Sequence, residues 1–140
     1  MIIAIDPGKT GSIAIGSTYN DTRVLPMPST EADIVHLLTE LTKYIDVVYI
    51  EDVHAMPKQG VVSMFTFGRN YGLLRGILQC LRVPMVEVSP AKWIRTLGLT
   101  GKGKNGIYQY VSQRFPNLKI KKSNADSLAI LDYAFEDSEA

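Results

Sequence analysis

Residues 1–15 read MIIAIDPGKTGSIAI, two short apolar runs separated by a turn. The first run, Ile2 to Ile5, ends in Asp6, and the second, Ser12 to Ile15, follows a segment that contains one proline and two glycines. Apolar runs of this kind bounded by such residues are typical of a β-hairpin. The sequence therefore predicts that Asp6 is held at a strand end, although an aspartate before Pro-Gly is also ordinary turn chemistry.

The residues that follow predict a mixed sheet. Residues 23–27 read as a third strand that Pro28 ends, so the first three strands form an antiparallel meander. Residues 47–50 are apolar throughout, as expected of a buried parallel strand, and residues 84–88 read as another strand. The predicted fold class is α/β, with a central sheet in which an antiparallel meander of three strands is followed by parallel strands, flanked by helices. We assign residues 1–140 to a single domain, because a chain of this length has room for only one core.

Apolar spacing and capping residues predict helices between and after these strands. The first predicted helix begins at Ser29 or Thr30, and the second runs from about Val61 to Leu81 after a loop at residues 54–60. A third begins at Ser89-Pro90, and a fourth includes residues 107–114. The closing helix spans residues 125–135 and is followed by an acidic tail.

Two further acids lie at the ends of predicted elements. Glu51 comes directly after the strand at residues 47–50, and Asp126 lies near the start of the closing helix. Ligands gather at the carboxyl ends of strands in open α/β sheets. Carboxylates that converge from separate segments suit hard divalent ions such as Mg²⁺, and their repulsion is costly without a cation. The sequence predicts a Mg²⁺ site from Asp6, Glu51 and Asp126, with an ordinary helix N-terminal role as the alternative for Asp126.

The composition narrows the class of protein. The chain has one cysteine, Cys80, and no apolar span of the roughly 20 residues that cross a bilayer, so we expect a cytoplasmic protein with no disulfide, Cys-rich zinc site or membrane partner. Nine of the 15 basic residues and one of the 14 acidic residues lie from Arg82 to Lys122, which gives +8 there and −7 elsewhere. This asymmetry indicates a polyanionic partner, with a solvated basic surface as the alternative.

Three glycines, Gly68, Gly72 and Gly76, fall four residues apart in the second predicted helix. Glycine destabilises a helix, so a compensating close contact along this stripe is expected. Packing within the chain is our first expectation, and contact with a dimer partner or with DNA are the alternatives.

The order of these motifs resembles one family. The Asp-Pro-Gly-x-x-x-Gly hairpin, the strand ending in Glu51, the glycine-rich helix and the late Ala-Asp-Ser-Leu-Ala helix at residues 125–129 are similar to those of RuvC-type Holliday-junction resolvases, within the RNase H-like superfamily. The resemblance spans nearly the whole chain, and its compact length is more similar to phage and prophage members. It implies an RNase H-like fold and branched DNA as substrate. The near two-fold symmetry of a four-way junction suits a homodimer.

The resemblance also implies a set of metal ligands. In that family four acidic positions bind two Mg²⁺ or Mn²⁺ ions, and three of these positions correspond to the acids named above. The fourth position, three residues before Asp126, is Ser123 here, and a neutral hydroxyl is a poor Mg²⁺ ligand. Either the site is weakened, or Asp52, Asn124 or water completes it.

The resemblance also implies roles for basic residues and for one position that is aromatic in some members of the family. Lys92 and Lys104 match lysines that contact the scissile strand or stabilise phosphoryl charge during catalysis, and Lys102 is close enough in sequence to substitute. His54 takes the place of an aromatic residue that stacks at the junction crossover in some members, or is simply an exposed loop histidine. Arg69 faces either a phosphate backbone or solvent.

These observations lead to one functional prediction and two alternatives. The prediction is a Mg²⁺-dependent endodeoxyribonuclease that resolves Holliday junctions by paired phosphodiester hydrolysis, with one ion activating water and the other stabilising the leaving 3′ oxygen. The first alternative is a branched-DNA-binding protein of the same fold whose cleavage is weakened by Ser123. The second, an actin-like or sugar-kinase-like nucleotide binder, is disfavoured by the short chain and by the lack of a second phosphate-binding glycine hairpin.

Overall fold

The structure, a computed structural model, describes residues 1–54 and 60–139, so most of the predicted loop at residues 54–60 lies outside the described residues. Within those ranges the sheet consists of β1 (Ile2–Asp6), β2 (Ser12–Gly16), β3 (Arg23–Pro26), β4 (Val47–Glu51) and β5 (Met85–Val88). Their order across the sheet is β3-β2-β1-β4-β5. The strand β2 pairs antiparallel with β1 and β3, whereas β4 pairs parallel with β1 and β5. The predicted mixed sheet is confirmed.

The turn between β1 and β2 fixes the backbone of Asp6. Gly8 has a φ of +111°, a conformation that strains residues with a side chain. A Cβ on Gly11 would lie 2.0 Å from the carbonyl oxygen of Asp6, so only glycine fits there. The Gly11 N–H donates to the Gly8 carbonyl oxygen at 3.1 Å. Asp6 is therefore held at the end of β1, as the sequence predicted.

Helices flank the sheet. They are α1 (Glu31–Leu41), α2 (Val61–Cys80), α3 (Pro90–Thr96), α4 (Gly103–Arg114) and α5 (Lys122–Glu139), with a 3₁₀ turn at Thr42–Tyr44. The side chains of Thr30 and Ser89 accept hydrogen bonds from the backbone N–H groups of Asp33 and Lys92, which confirms the predicted starts of α1 and α3. Over the ranges that the structure describes, no helix has both the length and the apolar character of a membrane span.

The closing helix α5 is longer than predicted at both ends. The sequence placed it at residues 125–135, but it begins at Lys122, and the predicted acidic tail is helical as far as Glu139. At its start the Asn124 side chain accepts a hydrogen bond from the Lys121 backbone N–H at 2.8 Å, which satisfies a donor at the helix N-terminus. Near its end Tyr49 donates to Asp137 at 2.7 Å, so a contact with β4 holds the last turns on the sheet.

Side-chain alternation divides the core between the two faces of the sheet. Ile3 belongs to the core cluster that contains the buried residues of α1 and α2, whereas Ala4 and Tyr49 belong to the cluster that contains those of α5. Successive side chains of a strand point to opposite faces. Asp6, two residues after Ala4, and Glu51, two residues after Tyr49, therefore share the α5 face.

A buried aspartate anchors the middle of α5. Asp132 is fully buried and accepts hydrogen bonds from Tyr19 and from Tyr110, the latter at 2.6 Å. Arg114 lies 3.0 Å from the same carboxylate. Because a buried carboxylate is costly unless it is paired and hydrogen-bonded, this network ties α4 and the β2–β3 connection to α5.

The glycine stripe of α2 does not pack within the described part of the chain. A Cβ added to Gly68, Gly72 or Gly76 would have nothing within 4 Å beyond the helix's own backbone and its chain neighbours. The helix contacts the sheet with its opposite face, where Leu74 and Leu78 are fully buried. Among residues 1–54 and 60–139 the stripe thus has no packing partner, contrary to our first expectation, and this favours the two alternatives, a dimer partner and DNA.

Candidate active site

Two acids lie side by side where β1 and β4 end. Ile5 pairs with Ile50 in the parallel register, so the next residues along the two strands, Asp6 and Glu51, are neighbours at the same edge of the sheet. Each comes two residues after a residue that faces α5, Ala4 or Tyr49, and therefore lies on that face itself. The parallel register is therefore what brings together two carboxylates that are 45 residues apart in the sequence.

The Glu51 carboxylate is held by a buried tryptophan. Glu51 is only 8% exposed, and Trp93 of α3 donates its indole N–H to the Glu51 Oε2 at 2.8 Å. Burial raises the pKa of Glu51 to about 7, the Trp93 hydrogen bond works in the opposite direction, and the charge of Asp126 adds to the increase. Trp93 thus fixes one of the candidate ligands.

The third acid, Asp126, reaches this edge through the packing of α5. The hydroxyls of Ser127 and Ser12 share a buried hydrogen bond at 2.5 Å. Ser12 is the antiparallel partner of Asp6. The first half of α5 is thereby placed over the end of β1, and burial raises the pKa of Asp126 while the charge of Lys104 opposes the increase.

The three acids interact electrostatically. The pKa of Asp6 rises to about 8, first because the carboxyl is buried and then because Glu51 and Asp126 are negatively charged nearby. Lys104 in the first turn of α4 works in the opposite direction. Asp6, Glu51, Asp126 and Lys104, which the resemblance implies for catalysis, are thus near enough for the charges of the other three to act on the pKa of Asp6.

This donor set suits a divalent cation in its chemistry. Oxygen ligands of negative charge are those that Mg²⁺ prefers, and buried carboxylates that raise one another's pKa are stabilised by a positive charge. In residues 1–54 and 60–139, however, no three His, Cys, Asp or Glu side chains converge closely enough to form a metal cluster. The side chains of Asp6, Glu51 and Asp126 would have to close further to share one ion.

Two solved structures are similar to this chain over nearly its whole length. One is a Thermus thermophilus RuvC structure, with a TM-score of 0.67, 18% sequence identity, and coverage of 99% of this chain and 95% of that chain. This chain has the RuvC-type fold. The other structure is T. thermophilus RuvC in complex with Holliday junction substrate, with a TM-score of 0.65, 15% identity and the same coverage of both chains. No protein-family model matches the sequence, and no curated protein does.

Within this RuvC-type fold, two of the groups proposed to complete the metal set are directed elsewhere. Asn124 donates its side-chain amide to the Lys119 carbonyl oxygen at 3.1 Å and accepts from Lys121, so it is engaged in capping α5. Asp52 accepts from Tyr71 of α2 at 3.5 Å, on the opposite face of the sheet from Glu51. Asn124 and Asp52 are thus engaged in other contacts, so water is the remaining one of the three groups considered in place of the missing acid.

The residues predicted to contact nucleic acid are all exposed. Lys92 lies in the first turn of α3, Lys104 lies in the first turn of α4, and Lys102 directly precedes α4. His54 lies beside Asp52, with 3.8 Å between its Nε2 and the nearest carboxylate oxygen. Arg69 lies 3.4 Å from Glu31 of α1. Among these residues, Lys104 is the one whose charge acts on the pKa values of the acids.

Two contacts of the site were missed from the sequence, the Trp93–Glu51 and Ser12–Ser127 hydrogen bonds. Both join residues far apart in the chain, and no local pattern encodes such a pairing. The one available signal was general, since a buried indole N–H usually finds an acceptor.

Proposed function

We propose that this protein is a divalent-metal-dependent endonuclease that resolves four-way DNA junctions. The observation that carries the proposal is the parallel register that makes Asp6 and Glu51 neighbours at one edge of the sheet, with Asp126 and Lys104 near enough for their charges to act on Asp6. The RuvC-type fold supports the choice of substrate, because one of the similar structures is a RuvC bound to a Holliday junction.

Each residue has a defined part in this proposal. Asp6, Glu51 and Asp126 would hold the cations, Mg²⁺ or Mn²⁺ and two per site by resemblance. When bound, such ions supply an activated water and stabilise the leaving oxygen of an in-line displacement. Trp93 restricts the Glu51 carboxylate to one orientation. Lys104 would offset the negative charge that builds on the phosphoryl oxygens.

The proposal is tested with a synthetic four-way junction and a linear duplex of matched sequence. In Mg²⁺ or Mn²⁺ we expect paired cuts in two opposing strands of the junction, no cuts in the duplex, and no cleavage in EDTA. A junction that stays intact in both metals would overturn the proposed activity.

The second candidate function is a junction-binding protein with weakened cleavage. Two observations favour it: Ser123 is exposed and neutral, and the acids are not gathered into a metal cluster within the described residues. Such a protein would bind the junction tightly at low salt without a metal requirement, because phosphate contacts supply most of the affinity. Tight binding with no cleavage in either metal would identify it.

Replacing Ser123 with Asp is expected to raise Mg²⁺-dependent cleavage by about tenfold or more, because a further carboxylate joins the donor set and a tenfold change needs only about 1.4 kcal/mol. Single-turnover cleavage at several Mg²⁺ concentrations measures the effect. Ser123→Asn is the matched control, with a similar shape and no charge. Equal rates in the wild type and both variants would show that this position does not contribute to the metal site.

We also propose that two copies of the chain form a homodimer through α2. The uncovered glycine stripe permits close helix approach, and it continues into Val61 and Phe65, which are 83% and 71% exposed. Exposed apolar side chains next to a smooth helix face are typical of an association surface. A two-fold dimer would present two acid sites to the two strands of a junction.

Gly72→Leu is expected to weaken the dimer by at least about tenfold, because overpacking a close contact costs about 1–3 kcal/mol. Within one protomer the new side chain meets open space, so folding should be preserved. Sedimentation at several protein concentrations measures the dissociation constant. Ser63→Leu, nine residues away and therefore on the opposite side of α2, is the control. Equal dissociation constants for the two variants would exclude the stripe from the interface.

A further inference from the structure

A basic groove opens next to the acid site. It has a volume of about 400 Å³ and lies between β3, the edge strand of the sheet, and the segment that joins α4 to α5. Three of its lining residues are cationic, Arg23, Lys119 and Lys121, and none is an aspartate or a glutamate. We call it the β3 groove.

One end of the β3 groove touches the candidate active site. Ser12, which pairs with Asp6 in the sheet, lines it, and so does Ser123 near the start of α5. From there the groove follows β3 to Arg23, which pairs with Ile15 three residues further along β2. At about 3.3 Å per strand residue, the groove extends about 10 Å from the acid edge.

The positive charge of this groove is not neutralised by neighbouring acids. The side chains of Arg23, Lys119 and Lys121 are exposed, and none of them takes part in an ion pair among residues 1–54 and 60–139. A second groove, which lies between α1 and α2, differs in this respect. Its Arg69 lies 3.4 Å from Glu31, which lines the same groove.

We propose that the β3 groove holds the sugar–phosphate backbone of the DNA strand next to the phosphodiester that is cut. This inference rests on the proposed function, in which the acid edge cuts DNA. Lys119 and Lys121 supply the charge on the α5 side of the groove, whereas Arg23 pairs with Ile15 and faces the other side of the sheet. Two cations match two consecutive phosphates, and a groove of about 10 Å accommodates roughly two, because phosphates along one strand lie further apart than the axial rise of about 3.4 Å. An extended peptide could pair with the open edge of β3, but the charge favours a polyanion.

The lysines of the groove can be changed without disturbing its frame. The contacts of Lys119 and Lys121 with Asn124 use their backbone carbonyl and N–H groups, and these contacts remain in any side-chain variant. Lys119→Gln/Lys121→Gln therefore removes two charges and preserves the start of α5. The control Lys43→Gln/Arg82→Gln removes two charges near the opposite end of the sheet, where Lys43 precedes β4 and Arg82 follows α2.

The test is the affinity of each protein for a four-way junction, measured without divalent metal at several salt concentrations. We expect the groove variant to bind at least about tenfold more weakly at low salt, and its slope of log K against log salt to be shallower by about 2, one for each lost phosphate contact. The control should keep the wild-type slope. Lys119→Arg/Lys121→Arg should keep it too, which separates charge from folding.

The outcomes distinguish this inference from the proposed function. A protein that cuts junctions but shows equal slopes for the groove and control variants would overturn the groove and leave the nuclease intact. A protein that binds without cutting but shows the shallower slope would support the groove and overturn the nuclease. Neutral methylphosphonate linkages placed one at a time beside the cut site should weaken the wild type at about two positions on one side and leave the groove variant unaffected. Uniform sensitivity of both proteins would contradict the inference.

Discussion

Asp6→Asn is expected to lower Mg²⁺-dependent junction cleavage by about 10³-fold or more while junction binding is preserved or tightened. Asp6 interacts with both other acids, since the charges of Glu51 and Asp126 each raise its pKa. Losing a ligand from a metal site removes several kcal/mol of transition-state stabilisation, and each 1.4 kcal/mol is about tenfold in rate. Removing a negative charge beside the scissile phosphate should favour docking of the DNA.

Single-turnover cleavage and equilibrium binding on the same junction measure the two effects separately. Asp52→Asn is the matched control, because Asp52 directly follows Glu51 but contacts Tyr71 on the other face of the sheet. If Asp6→Asn lost binding, folding and cleavage together, Asp6 would be a structural turn residue. If Asp52→Asn lowered cleavage as much as Asp6→Asn does, the assignment of the catalytic acids to the α5 face would be wrong.

The stability of the metal-free protein is expected to fall as the pH rises from about 4 to about 8. The folded-state pKa values of Asp6, about 8, and Glu51, about 7, lie above their ordinary values of 3.8 and 4.5. Within this window the folded state binds more protons than the unfolded state, so the free energy of unfolding decreases with pH. The stability is fully present below the unfolded pKa values and is lost as the pH passes through the folded ones.

Thermal unfolding at pH 5 and pH 8 measures this effect, first in EDTA and then in Mg²⁺. We expect the free energy of unfolding in EDTA to be lower at pH 8 by about 2 kcal/mol or more, since each unit of pKa shift corresponds to about 1.4 kcal/mol. Mg²⁺ should restore stability at pH 8 and have little effect at pH 5, where protonated carboxyls compete with it. Asp6→Asn should reduce the pH dependence and leave the part that Glu51 contributes. A metal-free protein that is equally stable at both pH values would contradict the raised pKa values of these buried carboxyls.

Local patterns were sufficient to predict the framework of the site. The apolar run before Asp6 and the run before Glu51 predicted two strands, and the turn residues after Asp6 predicted the hairpin. Side-chain alternation continued one residue past Glu51 puts Asp52 on the opposite face, and its contact with Tyr71 agrees. These features depend on residues close in sequence, whose steric and hydrophobic preferences act before any tertiary contact forms.

The features that were missed depend on contacts between distant segments. The extra turns of α5 are held by Asn124 at one end and by the Tyr49–Asp137 hydrogen bond at the other. The Trp93–Glu51 hydrogen bond requires α3 to cross the end of β4. The glycine stripe shows the same limit of local patterns, because spacing identifies a smooth helix face but does not reveal whether that face is turned toward the sheet, and in the part of the chain that the structure describes nothing packs on it.

The central proposal, a shared cation site at the ends of β1, β4 and α5, is tested most directly by crystals of the wild-type protein soaked in Mn²⁺. Anomalous scattering locates the metal independently of any activity assay. We expect strong peaks within ligand distance of Asp6, Glu51 and Asp126, and their loss in Asp6→Asn crystals. Crystals that bind Mn²⁺ elsewhere while this edge stays empty would contradict it.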